Sequence, residues 1–281
     1  MLYLKTSTDG LQGWNDPQGI GSISQWNILT YCLAQKINAK FCADPFTNIG
    51  HAFYNHKEQE NWDKSYTKFF NFDPLPDLEI VDYHETTIDN FKLYDDVVLN
   101  IVNKKLLVNE VFPKLDFYCR YNNLKNRLNY GGENYFDNDK FNISFHIRAT
   151  NPGDIPPNNP FMETFPIWIN ENHIINLIED LQHIYKEKNV NCYIHSQGLV
   201  ENFSNIEKKS SMNFKIILKL NRPTIEDIYH MSNSDFFILS KSSYAWICHL
   251  MNDNQSCARV DFHQPLFDKT LRFDNNYKMV V

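Results

Sequence analysis

Nowhere in the 281 residues does an apolar run approach the roughly 18 residues of a membrane span. The N-terminal MLYLKTSTDG has no basic stretch followed by an apolar one, so no targeting segment is expected. Six cysteines, Cys32, Cys42, Cys119, Cys192, Cys248 and Cys257, lie far apart, without the close pairs of a zinc site or a disulfide-stapled secreted domain. These absences predict a cytoplasmic protein with reduced thiols, in which the sequons at Asn142 and Asn202 are chance. With a net charge of -7 and no run of like charges, no nucleic-acid partner is expected. Internal repeats and low-complexity tracts are missing too. There is no GxxxxGK[ST] loop, and Gly19-Ile20-Gly21 is a lone G-x-G, so neither a nicotinamide nor an ATP cofactor is expected.

What is present is an ordinary globular composition, 42% hydrophobic and 15% aromatic, enough to bury one large domain or two Rossmann-sized ones. The chain opens as strand (LYLK), glycine turn and helix, with apolar residues at Ile23, Trp26, Leu29, Leu33 and Ile37, followed by a short strand in AKFCADPF. Residues 47–90 show no sustained period and read as irregular. Val97, Ile101, Leu106, Val111, Leu115 and Leu124 predict helices broken near Pro113. Gly131-Gly132 introduces a polar stretch that divides the chain into 1–135 and 136–281. Thereafter strands and helices alternate: FNISFHIR, a helix from His173 to Lys186, VNCYIHS, FKIILKL, a helix from Thr224, DFFILS, a helix from Ser242 and the strand ARVDF. That alternation predicts a doubly wound, parallel α/β domain, which binds ligands at the carboxyl ends of its strands.

Three segments fall where such ligands sit. In FHIRATNPGD a strand delivers His146 and Arg148 to a loop carrying Asp154. An Arg there can grip phosphate in a bidentate, charge-assisted contact, or equally pair with an acid on the sheet rim. In TIEDIYHMSNSDFFILSKSSYAWICHLMN, an acidic helix carrying Asp227 leads to a strand and then to a helix opening on Ser240, Ser242 and Ser243. Free N–H groups and the helix dipole at such a start suit a diphosphate, although the serines serve equally as N-caps. The third segment is the turn at Gly19 and Gly21, preceded by Asp16. The aromatic stretch from His51 to Phe72 offers either stacking surfaces for a sugar or packing residues.

Together, in order and spacing, these segments resemble the inverting, GT-B-type fucosyltransferases, the superfamily of α1,2-, α1,6- and protein O-fucosyltransferases. The pieces that match are Gly19-Ile20-Gly21, His146-Ile147-Arg148, and Asp227-Ile228 followed by Ser242-Ser243-Tyr244, the last within a block running from Thr224 to Asn252. The resemblance implies an α/β, GT-B-like fold of two Rossmann-like domains whose parallel sheets face a central cleft, acceptor side first and donor side second. It implies that Arg148 binds the donor diphosphate, that Ser240, Ser242, Ser243 and Tyr244 cradle it, that Asp227 accepts hydrogen bonds from the base, and that His146 lies beside base or ribose, with Gly19 and Gly21 also on the donor path. The implied reaction moves L-fucose from GDP-fucose to a glycan hydroxyl with inversion, without metal or cofactor, and with Asp154 or Asp16 as the candidate general base.

Two departures from the pattern bear on the donor. Where many relatives have H-x-R-R-x-D, this chain has Ala149, Thr150 and Asn151 after Arg148, and CYIHSQG replaces an acidic pair of the α1,2 group, leaving His195 or Gln197 to substitute. A transferase for another nucleotide sugar such as UDP-xylose, and a non-catalytic carbohydrate-binding protein on the same fold, are the alternatives.

Overall fold

The computed structural model describes residues 1–6, 19–46, 59–114, 124–148, 171–259, 262, 266–267, 270–274 and 278–280. They divide into two units, Met1–Asn129 and Tyr130–Val281.

The first unit is built on a four-stranded parallel sheet in the order β2-β1-β4-β3, with β1 at Tyr3–Thr6, β2 at Lys40–Phe41, β3 at Ile80–Tyr83 and β4 at Val98–Ile101. The centre is apolar because it must be: Leu4, Val98, Leu99 and Ile101 are fully buried. Helix α1, Ile20–Lys36, crosses from β1 to β2 and buries Ile28, Leu29 and Leu33. Helix α3, Lys104–Val111, is capped by the Asn103 side chain, which accepts from the Lys105 N–H, and buries Leu106, Leu107 and Val111.

Two segments differ from the sequence-based expectation. Within 47–90 the chain forms helix α2, Gln59–Phe70, and strand β3. Tyr66, Phe69 and Phe70 of α2 stand at i, i+3 and i+4 and are buried, Tyr66 and Phe70 against Phe46, so the helical period is present, confined to the last turns. Within 94–128 the first element is strand β4 rather than a helix. Pro113 sits in a short 3-10 turn, Phe112–Lys114, just after α3, as the helix-breaking ring requires.

The second unit carries a seven-stranded sheet in the order β11-β10-β9-β8-β5-β6-β7. Its strands are β5 Phe141–His146, β6 Val190–Ser196, β7 Phe214–Leu220, β8 Phe236–Ile238, β9 Gln255–Arg259, β10 Leu271–Phe273 and β11 Met279–Val280. All neighbours are parallel except the final β10–β11 pair. The crossover helices are α4 Glu171–Ile184, the single-turn α5 Ser204–Glu207, α6 Thr224–Asn233 and α7 Ser243–Met251. The last expected strand, ARVDF, lies partly in β9, and β10 and β11 extend the sheet beyond it. Strand order reverses between β5 and β8, placing the switch point at the carboxyl ends of those two strands, with β6 beside β5. The core joins Ile143 and Phe145 of β5 to Leu177, Ile178 and Leu181 of α4.

Tyr130, Tyr135 and Phe136 belong to this unit. Tyr130 stacks on Tyr229, and Tyr135 lies flat on His230 with ring centroids 3.4 Å apart. The Tyr135 N–H donates to His230 Nε2 and His230 Nδ1 lies 2.7 Å from the Glu226 carbonyl, so the imidazole is neutral with its proton on Nδ1. Burial pushes that imidazole down to about 4. No helix among the described residues is long and apolar enough to cross a membrane.

Candidate site at the carboxyl ends of the second sheet

Strand β5 alternates apolar and polar residues, so Ile143 and Phe145 enter the core while Asn142, Ser144 and His146 share the other face. Each of those polar residues reaches a different neighbour. Asn142 donates its backbone N–H to the Asp235 carboxylate at the amino end of the sheet. Ser144 and His146, nearer the carboxyl end, build the site.

His146 Nδ1 lies 2.5 Å from Ser240 Oγ, just beyond β8, and the Tyr244 ring meets the imidazole edge-on at 5.2 Å. Burial, reinforced by the nearby His195 and Arg148, pushes His146 down to about 3, so it is a neutral ring at physiological pH. Arg148, half-buried, leaves the end of the same strand two residues later.

Opposite His146 in the register of β5 and β6 stands His195, which is fully buried. Its Nε2 is 3.2 Å from Ser144 Oγ, and its Nδ1 is 2.8 Å from Oδ1 of Asp227 in the first turn of α6. Burial pushes the Asp227 carboxyl above its ordinary range, and His195 pulls it the other way. Lys219, at the end of β7, places Nζ 3.6 Å from the centre of the Tyr135 ring. Arg222 forms an ion pair with Glu226, beside Asp227.

The start of α7 completes the cluster. Ser242 is its N-cap: extended backbone at φ -146 and ψ 147, with Oγ accepting the Ala245 N–H at 3.1 Å. Tyr244 sends its hydroxyl back to the Thr224 carbonyl at 3.1 Å, tying α7 to the start of α6.

The structure thus gathers His146, Arg148, Asp227, Ser240, Ser242, Ser243 and Tyr244 at one edge of one sheet. Ser242 Oγ accepts the Ala245 N–H at the cap and Ser240 Oγ pairs with His146, so each of these hydroxyls has one partner inside the protein. Gly19 and Gly21 belong to the first unit. Gly19 is the N-cap of α1 at φ -68 and Gly21 lies in its first turn, so the pair opens a helix without a left-handed turn. Asp16, Asp154 and residues 51–58 of the aromatic stretch lie outside the described residues. The triplet Asp137-Asn138-Asp139 forms the turn before β5, its Asp137 Oδ1 accepting the Asp139 N–H, at the opposite end of the strand from the cluster.

Ser144 and Lys104 are the polar residues the sequence reading passes over. Ser144 was visible as the residue two before His146, hence on its face. Lys104, at the start of α3, sends Nζ to the Thr6 hydroxyl and to the Ile101 carbonyl at 3.2 Å, and burial pushes it down to about 8. Nothing in its surrounding sequence, NIVNKKLLVNE, separates it from a solvated helix-end lysine.

In chain trace, the protein is similar to solved fucosyltransferases. NodZ alpha-1,6-fucosyltransferase soaked with GDP-fucose aligns over 99% of this chain and 98% of its own, at TM-score 0.44 and 8% identity. POFUT1 in complex with GDP aligns over 90% and 70%, at TM-score 0.30 and 9% identity. MnaA from S. aureus with UDP aligns over 92% and 79%, at TM-score 0.36 and 9% identity. No protein-family model and no curated protein matches the sequence. A likeness of that size leaves function to be read from the side chains.

Proposed function

We propose that the protein is a glycosyltransferase that holds the nucleoside diphosphate of a sugar donor on the carboxyl edge of its second sheet. The observation that carries this reading is the convergence of a strand-end arginine, a nine-residue helix start and a buried carboxylate at the switch point of one parallel sheet. Arg148 and the α7 dipole supply positive potential for the phosphates, and Asp227 supplies acceptors for a base bearing N–H groups.

In this reading L-fucose passes from GDP-fucose to a glycan hydroxyl with inversion at the anomeric carbon. Arg148 and the helix start stabilise the departing diphosphate, so no metal or other cofactor takes part. His146, neutral and fixed by Ser240, acts as a hydrogen-bonding wall. Asp154 and Asp16 are the candidates for the base that takes the acceptor proton. The first unit serves as the acceptor side.

A thermal-shift series with GDP, UDP and ADP tests the proposal. GDP at about 100 times its Kd stabilises a binding-competent fold by about 2.7 kcal/mol, and Arg148→Ala is expected to abolish the shift. If none of the three nucleotides moves the melting point, the reading fails. A shift with UDP alone would point to a different donor, and binding without transfer to any glycan or peptide acceptor would point to a carbohydrate-binding protein.

A further inference from the structure

We propose that His195 is the positioning residue that aims the Asp227 carboxylate, and that the Ser144–His195–Asp227 chain thereby sets which nucleobase the second unit accepts. This rests on the nucleotide-binding reading above.

Both ring nitrogens of His195 are engaged, Nε2 with Ser144 Oγ at 3.2 Å and Nδ1 with Asp227 Oδ1 at 2.8 Å. Ionised Asp227 has no proton to give. The imidazole proton therefore sits on Nδ1 and points at Oδ1, while the Ser144 hydroxyl donates to Nε2. His195 itself cannot shift to suit a ligand, because it is fully buried in a strand paired on both sides. The chain is thus a rigid strut running from the floor of the sheet to a carboxylate at the first turn of α6.

The terminal torsion of an aspartate is soft. Anchoring one oxygen fixes the plane of the other, and Asp227, with its side chain 12% exposed, presents what remains to the surface. A carboxylate held in a fixed plane discriminates by donor pattern. It pairs with two adjacent N–H groups, as on N1 and the exocyclic amine of guanine, and meets only one such donor on uracil. On adenine, the amine lies beside an acceptor nitrogen that repels it. An unanchored carboxylate would lose that selectivity while keeping its charge.

Inosine diphosphate, which is guanosine diphosphate without the exocyclic amine, isolates the effect. Calorimetric titration of both nucleotides into the full chain is expected to show GDP binding about tenfold or more tighter than IDP, the effect of one hydrogen bond to a charged group. His195→Ala should bring the ratio close to one with the IDP affinity changed less than about threefold. His195→Asn, whose amide nitrogen takes the place of Nδ1, should restore it to within about threefold of the parent. Should His195→Ala not fold, Ser144→Ala carries the test, since losing the hydroxyl frees the tautomer and should cut the ratio at least about threefold. An unchanged ratio in His195→Ala, or in Ser144→Ala in its place, overturns the inference, as does a parent chain binding GDP and IDP equally. A parent chain that binds neither overturns the nucleotide reading instead.

Discussion

At the scale of single residues, the serines before α7 have a structural role of their own. Ser242 adopts the extended backbone of an N-cap and its hydroxyl accepts the Ala245 N–H. Replacing it with alanine is expected to cost about 1 kcal/mol of stability in a urea melt, and to change nucleotide diphosphate affinity less than about threefold. A large loss of affinity at unchanged stability would show that the hydroxyl serves the ligand. The motif residues were readable in sequence because a strand end and a helix start advertise themselves through a break in period, as at His146-Ile147-Arg148 and Ser242-Ser243-Tyr244. The partnerships were not. Ser144, His195 and Asp227 are separated by 51 and 32 residues along the chain, and only the parallel register of β5 with β6 and the packing of α6 bring them together.

At the scale of elements, legibility followed burial pattern. Strands β6 and β7 occupy the segments VNCYIHS and FKIILKL read from sequence, because each is a 7-residue run of mostly apolar or β-branched residues bounded by polar turns. Strand β4 misled because its 4 residues, VLNI, are too short to show a period of their own, and their apolar positions join by chance the helical spacing of α3. Strand β3 misled through its length as well: IVDY is 4 residues set between polar segments at the sheet edge, where Ile80 is 48% exposed. The same contrast predicts mutational cost. Leu99→Ala, at the fully buried centre of the first sheet, should destabilise by about 2–5 kcal/mol, whereas Ile80→Ala at the edge should fall within about 0.5 kcal/mol in the same denaturant titration. Equal costs would mean that the first sheet does not have β4 as its buried interior strand.

At the scale of the whole molecule, stability should depend on pH through two imidazoles of the second unit. His146 is pushed down to about 3 and His230 to about 4, in both cases chiefly by burial, against an unfolded value near 6.5. A depressed imidazole is neutral in the fold and takes its proton only in the unfolded chain. The stability each contributes is therefore fully present above about pH 6.5 and drains away as pH falls toward the folded value. Between about pH 6 and pH 4.5 the unfolded chain binds roughly 1.5 to 1.8 more protons than the fold through these groups, a slope of roughly 2 to 2.5 kcal/mol per pH unit. Asp227 acts in the opposite sense. Its carboxyl is raised in the fold, so protonating it as pH falls offsets part of the loss at the acid end. Urea midpoints should thus be level from pH 8 to 7 and fall steeply below 6.5, with His230→Gln removing about half of the slope. A profile that stays level down to pH 5 would mean that neither imidazole is held neutral, and with it the tautomer of His230 assigned from the Tyr135 N–H and the Glu226 carbonyl would be lost.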